Sequence, residues 1–358
     1  MKTKRVRDSR FEILRIIAML LIVLHHMALY SGMLESQMFH VKAVGEFIII
    51  GRKIGCFLFV VLSGYFAVDT VRSSFNQIIK TWTAAVFYNI ALVLLFKYIG
   101  TSISAKSIIK GLFPISGGGT YWFLTAYIGM LLFSPCIVCI IDKLSDAQLK
   151  EFGVLAAIAM IFVPTLLVII NPFSNTVMLF CFYYAIGVYI RKTAIEERIK
   201  HPILKASCNI LIIYIIQITL SFFKTPYTIV YRNRNWLSGN NSAMVLSATI
   251  YIFIAFLQAE KFHNRIINFF SASAFGVYLI HDNSLVRDWL WSKCISLHCI
   301  ETYTKSFLIM QLFAIAIIIY ISCALIDKIR MFIFQIISGV RKCIQEKICN
   351  LTGGNPVK

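Results

Sequence analysis

Ten apolar stretches recur along the chain, at 11–30, 46–68, 78–98, 121–141, 152–170, 176–190, 207–223, 243–259, 270–290 and 306–326. A bilayer core of about 30 Å takes about 20 helical residues. The sixth stretch is short, and the ninth carries polar residues. Past residue 327 a further apolar run, 331–340, lies between basic ends and predicts an amphipathic helix on the membrane surface. The pattern predicts an all-α polytopic integral membrane protein of about ten transmembrane helices. It divides into a membrane domain over 1–330 and a basic cytoplasmic tail over 331–358.

Composition agrees. Of 358 residues, 59% are hydrophobic and 14% charged, against about 25% charged in an ordinary soluble domain. The mean hydropathy is +0.77. A soluble fold would have too little polar surface to cover such a chain. The net charge of +19 does not point to nucleic acid, because no basic, aromatic-rich soluble domain carries it. Segments on the N-terminal side of the alternating spans hold more than twice the Lys and Arg of the opposite side. By the positive-inside rule this predicts a multi-pass protein of the cell membrane with both termini cytoplasmic. The basic N-terminus could pass for a signal peptide, but Glu12 and Arg15 interrupt its apolar region, so a retained first helix is expected. The ten cysteines are scattered. Cys136 and Cys139 have CxxC spacing inside an apolar run, and buried hydrophobic roles are expected for them.

Ionisable residues inside a span are costly and generally face a cavity or a partner. The first span holds four: Glu12, Arg15, His25 and His26. Eleven residues separate Arg15 from His26, so the two point within about 20° of each other and differ in height by about 16 Å. Glu12, one turn from Arg15, can pair with it. His25 points about 80° off that direction. A stripe of Glu12, Arg15, Met19, Ile22 and His26 therefore runs deep into the bilayer. The competing interpretation has Arg15 reaching to the inner headgroups and His26 as a satisfied structural histidine. In the second span, one of Arg52 and Lys53 is expected to face the cavity and the other to reach for headgroups. Tyr121 and Trp122 open the fourth span, where an interfacial aromatic belt competes with a carbohydrate platform. In the ninth, His281 and Asp282 fit either a polar lining or a packing network. The longer outer loops, 99–120 and 224–242, include Ser116-Gly117-Gly118-Gly119 and Arg232, Arg234 and Trp236, and either could meet a sugar or simply connect helices.

Four segments carry a resemblance: "EILRIIAMLLIVLHH" with Arg15-x10-His26, "FLFVVLSGYF" at 57–66, "YWFLTAYIGMLLFSP" at 121–135 and "FGVYLIHD" at 275–282. Together, in this order and spacing, they resemble the membrane acyltransferase family 3. The resemblance implies transfer of an acyl group, commonly acetyl from cytoplasmic acetyl-CoA, to a hydroxyl of a cell-envelope glycan or exopolysaccharide. It places the family's essential first-helix pair on Arg15 and His26. The family's Arg-rich run after the second helix is reduced here to Arg72 and Lys80.

Acyl transfer from a thioester to an alcohol needs a base and donors for a developing oxyanion. His26 can serve as that base, or take the acyl group itself and pass it on. Arg15, supported by Glu12, would attract or orient the anionic acyl-CoA co-substrate. Arg52, Tyr65, Arg72, Trp122 and His281 are the candidates for donor or acceptor contacts. No HExxH or GxxxxGK[ST] motif occurs, so no metal site and no bound cofactor are expected. A transporter or flippase of a glycan or small solute is the alternative, since intramembrane charges also mark solute paths. A non-catalytic membrane sensor is a third.

Overall fold

The computed structural model describes residues 7–67, 74–104, 109, 121–167, 175–223 and 233–352, with side chains described as far as residue 339. The helices are α1 (Ser9–Tyr30), α2 (Phe39–Ile49), α3 (Gly51–Ala67), α4 (Ser74–Tyr98), α5 (Trp122–Lys143), α6 (Asp146–Ala157), α7 (Thr176–Thr193), α8 (Pro202–Ser221), α9 (Ala243–Gln258), α10 (Arg265–Ser271), α11 (Ala274–His281), α12 (Ser284–Trp289) and α13 (Leu308–Thr352). No strand occurs among the described residues. Among the described residues, eight helical segments are long and apolar enough to cross a bilayer. The protein is an all-α polytopic membrane protein.

Two expected spans differ from the rest. The sixth forms α7, 18 residues long, with Arg191 and Lys192 in its last turn. The ninth is not one helix. It is broken at Ala272–Ser273 and again at Asp282–Asn283 into α10, α11 and α12. At the second break Asn283 turns its side-chain oxygen onto the Leu285 N–H, capping the next helix. Asn and Ser compete for backbone groups in this way, which disfavours helix interiors. In the other direction, α13 runs without interruption through residue 330 to Thr352, 45 residues in all. At 1.5 Å per residue it is about 68 Å long, more than twice the bilayer core.

Outward-facing apolar side chains such as Leu94, Leu132 and Ile318 are exposed, as suits a surface facing lipid. Cys136 and Cys139 are exposed too, rather than buried as expected. With an apolar solvent around the bundle, a thiol needs no protein cover.

α1 packs against α2, α3, α9, α10, α11 and α13. Its start is pinned. Asp8 accepts from the Arg10 backbone N–H at 3.1 Å, and Arg10 donates to the Leu257 and Ala259 carbonyls, both at 2.7 Å. These carbonyls end α9, where a cation complements the helix dipole. α3 meets α1 and α7 at backbone contact. A Cβ on Gly55 would crowd the Ala18 carbonyl, and Cβ atoms on Gly64 and Gly187 would overlap the Tyr184 and Val61 carbonyls. Small residues at such crossings let helices in lipid gain close packing. The Phe57 and Tyr183 rings stack across the same interface, with centroids 3.8 Å apart.

Gly187→Val should therefore lower the melting temperature of the purified protein, by an overpacking cost of about 1–3 kcal/mol or more. Gly153→Val, at a position with open space around it, should change it little. Thermal unfolding in detergent compares the two.

Candidate active site

A cavity of about 1430 Å³ lies inside the bundle, walled by residues of α1, α3, α4, α5, α7, α10, α11 and α13. Glu12, Arg15, Met19, Ile22 and His26 all belong to its wall. The α1 stripe thus faces one shared space. Tyr30, one turn beyond His26, is not part of the wall.

At the Arg15 end, Glu12 is 5% exposed. One of its carboxylate oxygens accepts from Arg15 Nη1 at 2.5 Å, and the other from Ser271 Oγ at 2.5 Å. The i,i+3 spacing supplies the first contact, and the end of α10 the second. A buried carboxylate is tolerable only when paired and hydrogen-bonded in this way. The Arg15 guanidinium is about a third exposed and stands 6.0 Å from the Phe66 ring.

At the other end, the histidines form a directed chain. His281 Nδ1 lies 2.7 Å from the Val277 carbonyl oxygen. A carbonyl only accepts, so Nδ1 carries the hydrogen and Nε2 of the neutral ring holds a lone pair. That Nε2 is 3.0 Å from His26 Nδ1, so His26 donates to it. Asp282 Oδ1, 3.6 Å from the same nitrogen, is too far for a hydrogen bond, but its charge favours a proton on that nitrogen. Nε2 of His26 is left with its lone pair, the state a general base needs. His281 is fully buried and absent from the cavity wall. It stands behind His26 rather than beside a ligand.

The remaining candidates separate. Arg52 lines the cavity, with its guanidinium 5.2 Å from the centroid of the Trp122 ring. Its Nε is buried with no hydrogen-bond acceptor among the described residues. Lys53 Nζ lies 4.3 Å from the same centroid, outside the wall. Trp122 is itself part of the wall. Tyr121, expected at the interface, is buried instead. Its hydroxyl donates to the Leu279 carbonyl at 2.8 Å and accepts from Asn283 at 2.9 Å, which ties α5 to the break after α11. Tyr65 does not reach the cavity wall. Its ring packs near Phe11, Phe66 and Phe253, and its hydroxyl accepts from Arg191 at 3.2 Å. His25 bonds the Ile49 carbonyl at 3.1 Å, away from the stripe. Arg72, the Ser116–Gly119 run and Arg232 lie outside the described residues.

Some wall residues were not anticipated. Ser271 was one, and Asp327 and Arg330 of α13 were two more. Their i,i+3 spacing was visible, but it fell just past the end of the tenth expected span, 306–326. Among the described residues, no group of three His, Cys, Asp or Glu side chains could hold a metal.

A family model described as an acyltransferase domain, that of acyltransferase family 3, matches residues 8–336. The chain belongs to this family and is a membrane acyltransferase. Comparison with curated proteins and with solved structures finds no match.

His281→Leu removes the acceptor of the His26 N–H. It should cut the turnover of acyl transfer by about tenfold or more, leaving the KM for the acyl donor unchanged. His281→Gln, whose Oε1 can still accept, should retain more activity. Steady-state kinetics on the purified variants would show the split.

Proposed function

We propose that the protein transfers an acyl group, acetyl in the first instance, from cytoplasmic acyl-CoA to a hydroxyl of an envelope or exported glycan. The observation that carries this reading is the lone pair on His26 Nε2 in the wall of a cavity that also holds Arg15. Arg15 and His26 are eleven residues apart, about 16 Å along the helix, a span an extended pantetheine arm can bridge.

Charge supports an anionic donor. Among the described residues, five cationic side chains line the cavity (Arg7, Arg15, Arg52, Lys80 and Arg330) against two carboxylates, Glu12 and Asp327. In a low-dielectric surrounding such an excess attracts a polyanion strongly. Arg7, Arg15, Lys80 and Arg330 would hold the phosphates, a role the short Arg72–Lys80 segment could not fill alone. The glycan acceptor rests on the family resemblance together with the wall position of Trp122, whose ring suits stacking on a sugar.

In the proposed step, His26 Nε2 takes the proton of the acceptor hydroxyl as its oxygen attacks the thioester carbonyl carbon. The carbon–sulfur bond then breaks, and the departing thiolate takes the proton back from the imidazolium. Ester and free CoA result. His281 and Asp282 stabilise the imidazolium in between. Arg52, which lines the cavity, would donate from its guanidinium to the developing oxyanion.

Membranes holding wild type or His26→Ala at equal level, given labelled acetyl-CoA, test this. Label should enter the host glycan with wild type and fall by about 10²–10⁴ with the variant. Equal labelling above an empty-vector control would make His26 structural. No labelling by wild type with any acyl-CoA would overturn the reading.

A further inference from the structure

Gln77 has no part in the step above. It lies in the first turn of α4, lines the cavity and is exposed. A chain of hydrogen bonds sets which way its amide points. Ser63 Oγ donates to the Phe59 carbonyl at 2.8 Å. The single hydroxyl hydrogen is then spent. At the 3.0 Å contact between Ser63 and the Tyr127 hydroxyl, Tyr127 must therefore donate. The Tyr127 oxygen in turn accepts from Gln77 Nε2 at 3.0 Å. Turning the amide over would set Oε1 against an oxygen with no hydrogen left to give. Gln77 thus keeps Oε1 and the second hydrogen of Nε2 free, side by side.

Placement narrows what these groups meet. The Phe66 ring, one turn past Ser63 on α3, stands 6.0 Å from the Arg15 guanidinium. Lys80, another wall residue, is one turn along α4 from Gln77. Gln77 therefore belongs to the Arg15 end. Ser63 is eleven residues, about 16 Å, along α3 from Arg52, the proposed oxyanion donor. A CoA with its sulfur at His26 brings its nucleotide to this end. The phosphates suit the cations. The pantetheine amides are trans, so N–H and C=O point opposite ways and neither amide can engage both Gln77 groups at once. Adenine can. Its 6-amino N–H stands beside a ring nitrogen, a donor next to an acceptor, the edge that a Gln amide pairs with bidentately.

We propose that Gln77 reads the adenine of the acyl donor, with Oε1 accepting from the 6-amino group and Nε2 donating to the neighbouring ring nitrogen. This rests on the acyl-CoA reading above. Tyr127 is the positioning residue. Hypoxanthine has an oxygen where adenine has its amino group. That oxygen would face Oε1, and the amide cannot turn over to suit it without losing Tyr127.

Titration calorimetry on the purified full chain compares CoA with its analogue carrying hypoxanthine in place of adenine. Wild type should bind CoA about tenfold or more tightly than the analogue. Gln77→Ala should bring CoA down to the analogue's level without lowering the analogue's own affinity. Tyr127→Phe, which frees the amide to turn over, should shrink the ratio between the two. A loss of packing alone would weaken both probes alike and leave that ratio unchanged. Equal binding of the two by wild type, or a ratio that Gln77→Ala leaves intact, would overturn the proposal while the acyl-CoA reading stands. If wild type binds neither probe, the acyl-CoA reading itself fails, and this one with it.

Discussion

An imidazole inside an apolar bundle must find protein partners for its N–H, because lipid offers none. His26 meets that demand through His281, whose own N–H is taken up by the Val277 carbonyl one turn back on α11. The chain has a direction because it ends on a carbonyl, which only accepts. That direction puts the free lone pair of His26 on Nε2. A requirement of folding in lipid thus also sets the protonation state that the proposed transfer step calls for.

The rest of the bundle serves this arrangement. Arg10 fixes the start of α1 to the end of α9, and Gly55 lets α3 lie against its middle. These contacts hold the register of the stripe against the cavity. The break at Asp282–Asn283 leaves His281 at the end of a short helix, where Asp282 also approaches His26. Asp282 keeps its helical position, its N–H still bonded to the Tyr278 carbonyl at 3.2 Å, and the break falls just after it. Unwound backbone at membrane depth is tolerated only where protein covers it. Here Tyr121, Asn283 and Asn89 supply the cover through hydrogen bonds of 2.8–3.0 Å.

Helical periodicity made the α1 stripe legible, because both of its ends lie on one long helix. The relation of His26 to His281 was not, since it depends on how two helices cross. The ninth span read as continuous because its apolar run masks the Ser271-Ala272-Ser273 and Asp282-Asn283-Ser284 signals that break it. Aromatic residues were the least legible. Tyr65 and Trp122 both stand beside other aromatic residues in apolar runs. Only packing sends Tyr65 toward Phe253 and Trp122 to the cavity. Asp327 and Arg330 were hidden differently: α13 runs on past the bilayer length, so a pair of cavity-lining charges lay where the span was expected to have ended.

Chemistry at His26 requires that the donor occupy this cavity with its sulfur at the histidine end. A cryo-EM structure of the protein with CoA bound tests that directly. The sulfur should lie within contact distance of His26 Nε2, with the nucleotide at the Arg15 end. A CoA bound outside the cavity, or lying in it with the nucleotide against His26, would contradict it.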